Sequence, residues 1–306
     1  MDRRVKLRHL EAFVEIARQR SLKRAAERLN LTQPAISRTL AELEAVTGAR
    51  LLIRGRGGAE LTAQGQILFD HAQTALGALE RGLDGASDRG ARARAPRLRL
   101  GALPSVAARL LPELVAGLET MAPDLLLTIA DGSHDHLTGQ LRGGTLDLVL
   151  GRLGAPETMR GLSFSQLYLE NVAIVVRPGH PILTAPALRR LENEFTVIFP
   201  PPWAAIRPYV ERMLITEGVN MPQRRIETVS GAFGRVYTAR SDAVWIISSG
   251  VVGNEIADGR LVRLPFTATG TEGPVGLMRR AEGQETPEMR LLARAAVAAV
   301  GRLGLG

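Results

Sequence analysis

The chain has 306 residues, 45% hydrophobic and 23% charged, an ordinary soluble composition too long for one compact core. It has no cysteine, which excludes disulfides, thiolate nucleophiles and zinc–thiolate sites. The net charge of +8 is uneven: residues 1–60 hold 13 Lys/Arg against 7 Asp/Glu (+6), the remaining 246 hold 26 against 24 (+2). Positive charge gathered at one end is the footprint expected of a duplex binder. The start, MDRRVKLRHLEAF, lacks a secretory apolar core, and no apolar run reaches membrane-spanning length. A cytoplasmic protein without a membrane partner is expected.

Leu10, Phe13, Val14 and Ala17 repeat at helical spacing, predicting a first helix over 6–19. Ser21 caps a second, striped by Leu22, Ala25, Ala26 and Leu29. After the break Asn30-Leu31-Thr32, a third carries Ile36, Leu40 and Leu43. Thr32 sits where an N-cap belongs, and Pro34 falls in the first turn, where its missing N–H costs nothing. Two helices joined this tightly form a helix-turn-helix. Its outward face carries Thr32, Gln33, Ser37 and Arg38, a set suited to base edges and phosphates in a major groove. Leu51-Leu52-Ile53 reads as a short strand, Arg54-Gly55-Arg56-Gly57-Gly58 as a cationic tip and Leu61 as the end of the return strand. This is a wing placed to touch DNA backbone or minor groove, or else a plain solvated turn. From Thr62 to about Ser87 one long helix shows Leu68, Ala72, Ala75, Leu79 and Leu83 near coiled-coil spacing, a dimer seam or a face packed on its own domain. The run Arg89–Pro96 then marks a hinge.

The register of Ser21, Ala25, Ala26, Leu29, Thr32, Gln33, Pro34, Ala35, Ser37, Leu43, Glu44, Gly48, Leu61, Thr62 and Gly65 closely resembles the LysR-type transcriptional regulators. Departures are Thr32 for the usual Ser, Leu52 for Phe, and Gly57 at the second wing arginine, with Arg56 one place early. The resemblance implies DNA contact by Thr32, Gln33, Pro34, Ser37, Arg38, Arg54 and Arg56. It also implies homodimers paired through the linker helix and assembled into homotetramers, with RNA polymerase as a further partner.

Beyond Arg97 the rhythm becomes strand–helix–strand. Strands are predicted at Leu98–Ala102, Leu125–Ala130, Leu146–Leu150, Val172–Val176, Thr196–Phe199, Ile226–Val229, Ala243–Ile247 and Pro274–Met278. Helices are predicted at Ser105–Met121, Ser133–Arg142, Ala205–Glu217, Ala232–Ala239 and Pro287–Leu303. Continuous apolar strands predict parallel sheets covered on both faces. The chain crosses between two α/β lobes near Tyr168–Asn171 and Pro265–Thr267, and the last helix returns to the first lobe. Ligands in such sheets bind at the carboxyl ends of strands. There Ser105, Ser133, Pro200, Trp203, Ser230 and Ser248 are expected around an anionic ligand, with Arg152 as the cation that holds a carboxylate. Each serine has plain N-capping as its alternative. His134-Asp135-His136 reads as surface polar residues rather than a metal site, His180 as a loop residue and Trp245 as core. No P-loop, nucleophile elbow or H-E-x-x-H is present, so no catalytic residue, metal or cofactor is expected.

Segments such as RLRLGALPSVAARLLPE (97–113), DLVLGRLGAPETMRGLSF (147–164), IETVSGAFGR (226–235) and SDAVWIISSGVV (241–252) resemble the PcaQ-type subgroup of the LysR regulators. That resemblance implies a carboxylated aromatic effector such as protocatechuate, or its ring-opened muconate. A galactose-type sugar regulator is the near alternative. The expected protein is α/β. It has an N-terminal winged helix-turn-helix (1–62), a long linker helix and hinge (63–94), and a two-lobed effector domain of periplasmic-binding-protein type (95–306). Lobe one spans about 95–168 plus 268–306, lobe two about 169–267. A small-molecule enzyme with a DNA-binding head and an effector-independent architectural binder are the readings from other classes.

Overall fold

The computed structural model describes residues 4–55, 58–86, 96–266 and 270–305. The expected hinge, wing residue Arg56 and residue Thr267 of the second crossing lie outside them. Contacts divide the chain into two units, residues 1–94 with 139–146, and residues 95–138 with 147–306.

In the first unit, α1 (Leu7–Gln19), α2 (Leu22–Arg28) and α3 (Gln33–Thr47) precede a hairpin of β1 (Leu52–Gly55) and β2 (Gly58–Leu61), then α4 (Ala63–Ala86). Ser21 caps α2, its hydroxyl accepting from Arg24 N–H at 3.4 Å. Asn30 adopts the left-handed conformation, φ 55°, which asparagine tolerates better than most residues, and Leu31 N–H closes the turn on Ala26 O at 2.8 Å. Thr32 then caps α3 through Ala35 N–H, and Gly48, at φ 67°, ends it. Ala25, Ala26, Ile36 and Leu43 are buried together with Phe13 and Ile16 of α1. The small alanines allow α2 and α3 to approach closely.

The apolar stripe of α4 is divided. Ala72 is buried in the winged core, with Leu68, Phe69 and Leu76 packed against it and Phe69 edge-on to Phe13. Ile67, Leu79 and Leu83 remain exposed. The expected seam therefore spends Leu68 and Ala72 on its own domain.

The second unit holds two five-stranded sheets. The first has the order β4-β3-β5-β12-β6, from β3 (Arg97–Ala102), β4 (Leu126–Asp131), β5 (Leu148–Arg152), β6 (Leu162–Glu170) and β12 (Gly273–Arg280). The second is β11-β7-β10-β8-β9, from β7 (Val172–Val176), β8 (Val197–Phe199), β9 (Arg225–Glu227), β10 (Val244–Ser248) and β11 (Val262–Arg263). Helices α5 (Pro104–Met121), α7 (Arg207–Thr216), α8 (Gly231–Arg240), α9 (Ser249–Ala257) and α10 (Pro287–Arg302) accompany them, and α6 (His134–Arg142) begins in this unit, its residues from 139 on being counted with the first. Lobe one buries Leu100, Leu110 and Leu150 against Leu292 and Ala296 of α10. Lobe two buries Val172–Val176, Phe199 and Trp245.

Both sheets are mixed, which corrects the expectation of purely parallel ones. Strands β3, β4 and β5 are parallel, as are β8, β9 and β10, but β6, β7, β11 and β12 pair antiparallel with their neighbours. A strand that arrives from the other lobe enters its sheet from the opposite end. Strand β6 and helix α9 had no counterpart among the predicted elements.

Candidate functional site

On α3, Thr32, Gln33, Pro34, Ser37 and Arg38 are all exposed, while Ile36 and Leu43 on the opposite face are buried. Helix α3 thus offers one polar, cation-bearing surface. Arg54 lies on β1, but its side chain is outside the description. The wing is anchored by residues that carried the motif without an evident role. Glu44 Oε1 accepts from Leu51 N–H at 2.7 Å and Leu52 N–H at 3.2 Å, so a carboxylate on α3 fixes the start of β1. Thr62 donates to Arg50 O at 2.7 Å and accepts from Gly65 N–H at 2.9 Å, joining the wing to α4. A Cβ on Gly65 would run into the Leu51 carbonyl oxygen. Gly65→Ala is therefore expected to cost about 1–3 kcal/mol of stability, read by chemical denaturation, and to weaken DNA binding through a displaced wing.

The second surface is an open crevice at the carboxyl ends of strands from both lobes. Lobe one supplies Leu103, Pro104 and Ser105 after β3, Gly132, Ser133 and His134 after β4, and Arg152 at the end of β5. Lobe two supplies Trp203–Ile206 after β8, Val229 after β9, and Ile247, Ser248 and Val251 at β10 and α9. The wall is mainly apolar with a few polar groups, the make-up of small-molecule sites. Trp203 is 56% exposed at its mouth, a flat surface for a ring.

Arg152 is the charged group in this wall and is 2% exposed. A Cβ at Gly273 would strike its guanidinium, so that glycine makes its room. Tyr209 of α7 lies against the guanidinium, 5.1 Å from carbon to ring centroid. Its Nη2 donates to Glu170 O at 2.8 Å and meets Glu170 Oε2 at 3.4 Å. Its Nε and Nη1 have no hydrogen-bond partner among the described residues. Burial raises the Glu170 pKa, against the pull of Arg152, the Ser105 hydroxyl and Gly250 N–H. Burial likewise raises Tyr168.

Of the seven residues expected around a ligand, Ser105, Ser133, Arg152, Trp203 and Ser248 line the crevice and two do not. Pro200 is buried with its carbonyl accepting from Arg207 Nη1 at 2.7 Å, so Pro200 points its polar atom away from the site. Ser230 is exposed and caps α8 through Phe233 N–H; Ser133 likewise caps α6 through His136 N–H at 3.4 Å, while also lining the crevice. His134 is buried in the crevice wall, which corrects its reading as a surface residue; His136 is exposed. No group of three potential metal-binding side chains occurs among the described residues. His180 lies in a loop before the short helix Pro181–Thr184, as expected, and is buried there: its Nδ1 accepts from Ile182 N–H at 3.0 Å and its ring lies on Phe195. Glu170 was missed, although a lone acid just before the apolar run Val172–Val176 signals a buried charge in need of a partner.

The helix-turn-helix model of the bacterial regulatory proteins of the lysR family matches residues 7–66, and the LysR substrate-binding domain matches residues 91–301. The chain belongs to the LysR family of transcriptional regulators. The HTH-type transcriptional regulator PcaQ of Agrobacterium fabrum is 45% identical over 99% of this chain and 97% of its own length. The regulator YdcI of Escherichia coli K12 is 36% identical over 96% and 95%. Among solved structures, CbnR, a LysR family transcriptional regulator, superposes with a TM-score of 0.64 at 21% identity, covering 96% of this chain and 99% of that one, a likeness of fold. The chain is thus a DNA-binding LysR regulator with an effector-binding domain, not an enzyme. No described helix is long and apolar enough to cross a membrane.

Proposed function

We propose that this LysR regulator reads a dyad-symmetric operator through Thr32, Gln33, Pro34, Ser37 and Arg38, with Arg54 and Arg56 on the wing. The switch is a carboxylated aromatic, protocatechuate or its ring-opened muconate, bound in the crevice. The observation that carries the effector class is Arg152: a buried guanidinium with two unpartnered nitrogens in an apolar wall asks for a carboxylate. Trp203 at the mouth suits a ring, and Ser105, Ser133 and Ser248 supply polar contacts. The kinship with PcaQ supports the same class.

Residues 1–62 act as the DNA-binding domain, 63–94 as linker and hinge, and 95–306 as the effector domain. Protomers pair through the exposed Ile67, Leu79 and Leu83 of α4, and dimers pair into tetramers. The protein works in the cytoplasm and relays its state to RNA polymerase. For effector binding to act as a switch, one lobe arrangement must hold the ligand more tightly than the other.

A thermal-shift screen of aromatic and sugar acids tests the effector. Stabilisation by protocatechuate or its muconate and not by sugar acids is expected; the reverse selects the sugar-linked reading. A ligand at a hundred times its Kd stabilises the folded state by about 2.7 kcal/mol, well within reach of the method.

A further inference from the structure

Behind the crevice wall stands a carboxylate, Glu170, that pairs with the crevice arginine and that the effector need not touch. Arg152 lines the crevice and Glu170 does not, and both are nearly inaccessible, 2% and 4% exposed. Glu170 ends β6 in lobe one, yet its Oε1 accepts from Gly250 N–H at 3.1 Å, in the first turn of α9 in lobe two. A Cβ on Gly250 would strike that same carboxylate. The Ser105 hydroxyl of α5 also hydrogen-bonds to it. One carboxylate therefore ties the two lobes together and occupies one nitrogen of the crevice arginine, while Nε and Nη1 stay open.

We propose that Glu170 is an internal counter-ion whose protonation is coupled to effector binding: the effector carboxylate joins Arg152, and Glu170 takes up one proton. This rests on the carboxylate-effector reading above and names how that site is regulated. Two carboxylates on one buried guanidinium leave a net negative charge in a dry site, which is costly. A proton from solvent adds to Glu170 Oε2, the contact with Arg152 Nη2 loosens, and neutrality returns. Neutral Glu170 is also a weaker acceptor for Gly250 N–H, so the same event relaxes a tie between lobes.

Burial raises the Glu170 pKa while Arg152 from β5, Ser105 from α5 and Gly250 from α9 lower it, and sharing Arg152 removes part of that pull. The other groups facing this cluster are Tyr168 on the same strand, whose raised pKa keeps it neutral, Arg109 of α5, a positive charge, and Tyr209 of α7, whose ring lies against the Arg152 guanidinium. His134 also lines the crevice, so the test must tell an imidazole from Glu170.

Titration calorimetry of the full-length protein with protocatechuate, between pH 6 and 8 in buffers of different ionisation enthalpy, reads the proton count. Uptake approaching one proton is expected, with affinity falling about tenfold per pH unit where uptake is complete. Infrared difference spectra of the unmodified protein should gain a protonated-carboxyl band on binding, which an imidazole cannot produce. Glu170→Gln is expected to lose both the uptake and the band. Binding without uptake, uptake without that band, or uptake persisting in Glu170→Gln overturns the coupling and leaves the effector reading standing. If neither protocatechuate nor its muconate binds, the effector reading falls and this inference with it.

Discussion

An Arg152→Met protein is expected to lose its response to carboxylate effectors at every concentration and to unfold more easily by about 3–5 kcal/mol. The two losses have different causes. Response is lost because the guanidinium is the charged group of the crevice wall, and a thioether offers no N–H to an anion. Stability is lost because Glu170, 4% exposed, is left buried without its counter-ion. The double variant Arg152→Met/Glu170→Gln separates them, since it removes the stranded charge along with its partner. Most of the stability should return, read by guanidinium denaturation, while the thermal shift with protocatechuate stays absent. A double variant that regains the shift would show that Arg152 serves the fold and not the ligand.

On the DNA side, Arg38→Ala and Gln33→Ala are each expected to lower operator affinity by about 1–3 kcal/mol while leaving non-specific binding nearly unchanged. Both side chains are exposed on α3, beside the capped N-terminus that would enter the groove. Arg54→Ala should behave differently, weakening binding about equally on all sequences and reducing the salt slope by about 1. Fluorescence anisotropy against operator and random duplexes at several salt concentrations distinguishes the patterns. If Arg38→Ala also weakened binding to random duplexes in equal measure, its partner would be a phosphate and not a base.

The N-terminal unit was legible because its signals are local. Ser21, Thr32 and Gly48 each set a helix boundary through a bond or a dihedral angle within a few residues, and the stripes through Ala25 and Leu43 fix which faces meet. The crevice was legible at strand ends that open into it, as at Ser105, Ser133 and Arg152. It misled at Pro200 and Ser230, where proximity to a strand end says nothing of direction: one carbonyl turns to Arg207, and one hydroxyl caps its own helix. Hidden altogether were facts that need distant parts of the chain. Glu170 meets Gly250 across 80 residues, and β12 inserts between β5 and β6 antiparallel to both. Neither periodicity nor spacing carries such long-range pairings.

The most direct test is a footprint of the purified protein on the DNA upstream of its own gene, with and without protocatechuate. Protection of a dyad-symmetric site is expected at protein concentrations that leave random DNA untouched, with a footprint that changes its extent or bending when the acid is added. A protein that binds its own upstream DNA no better than random fragments, or whose footprint no carboxylate alters, would contradict this reading.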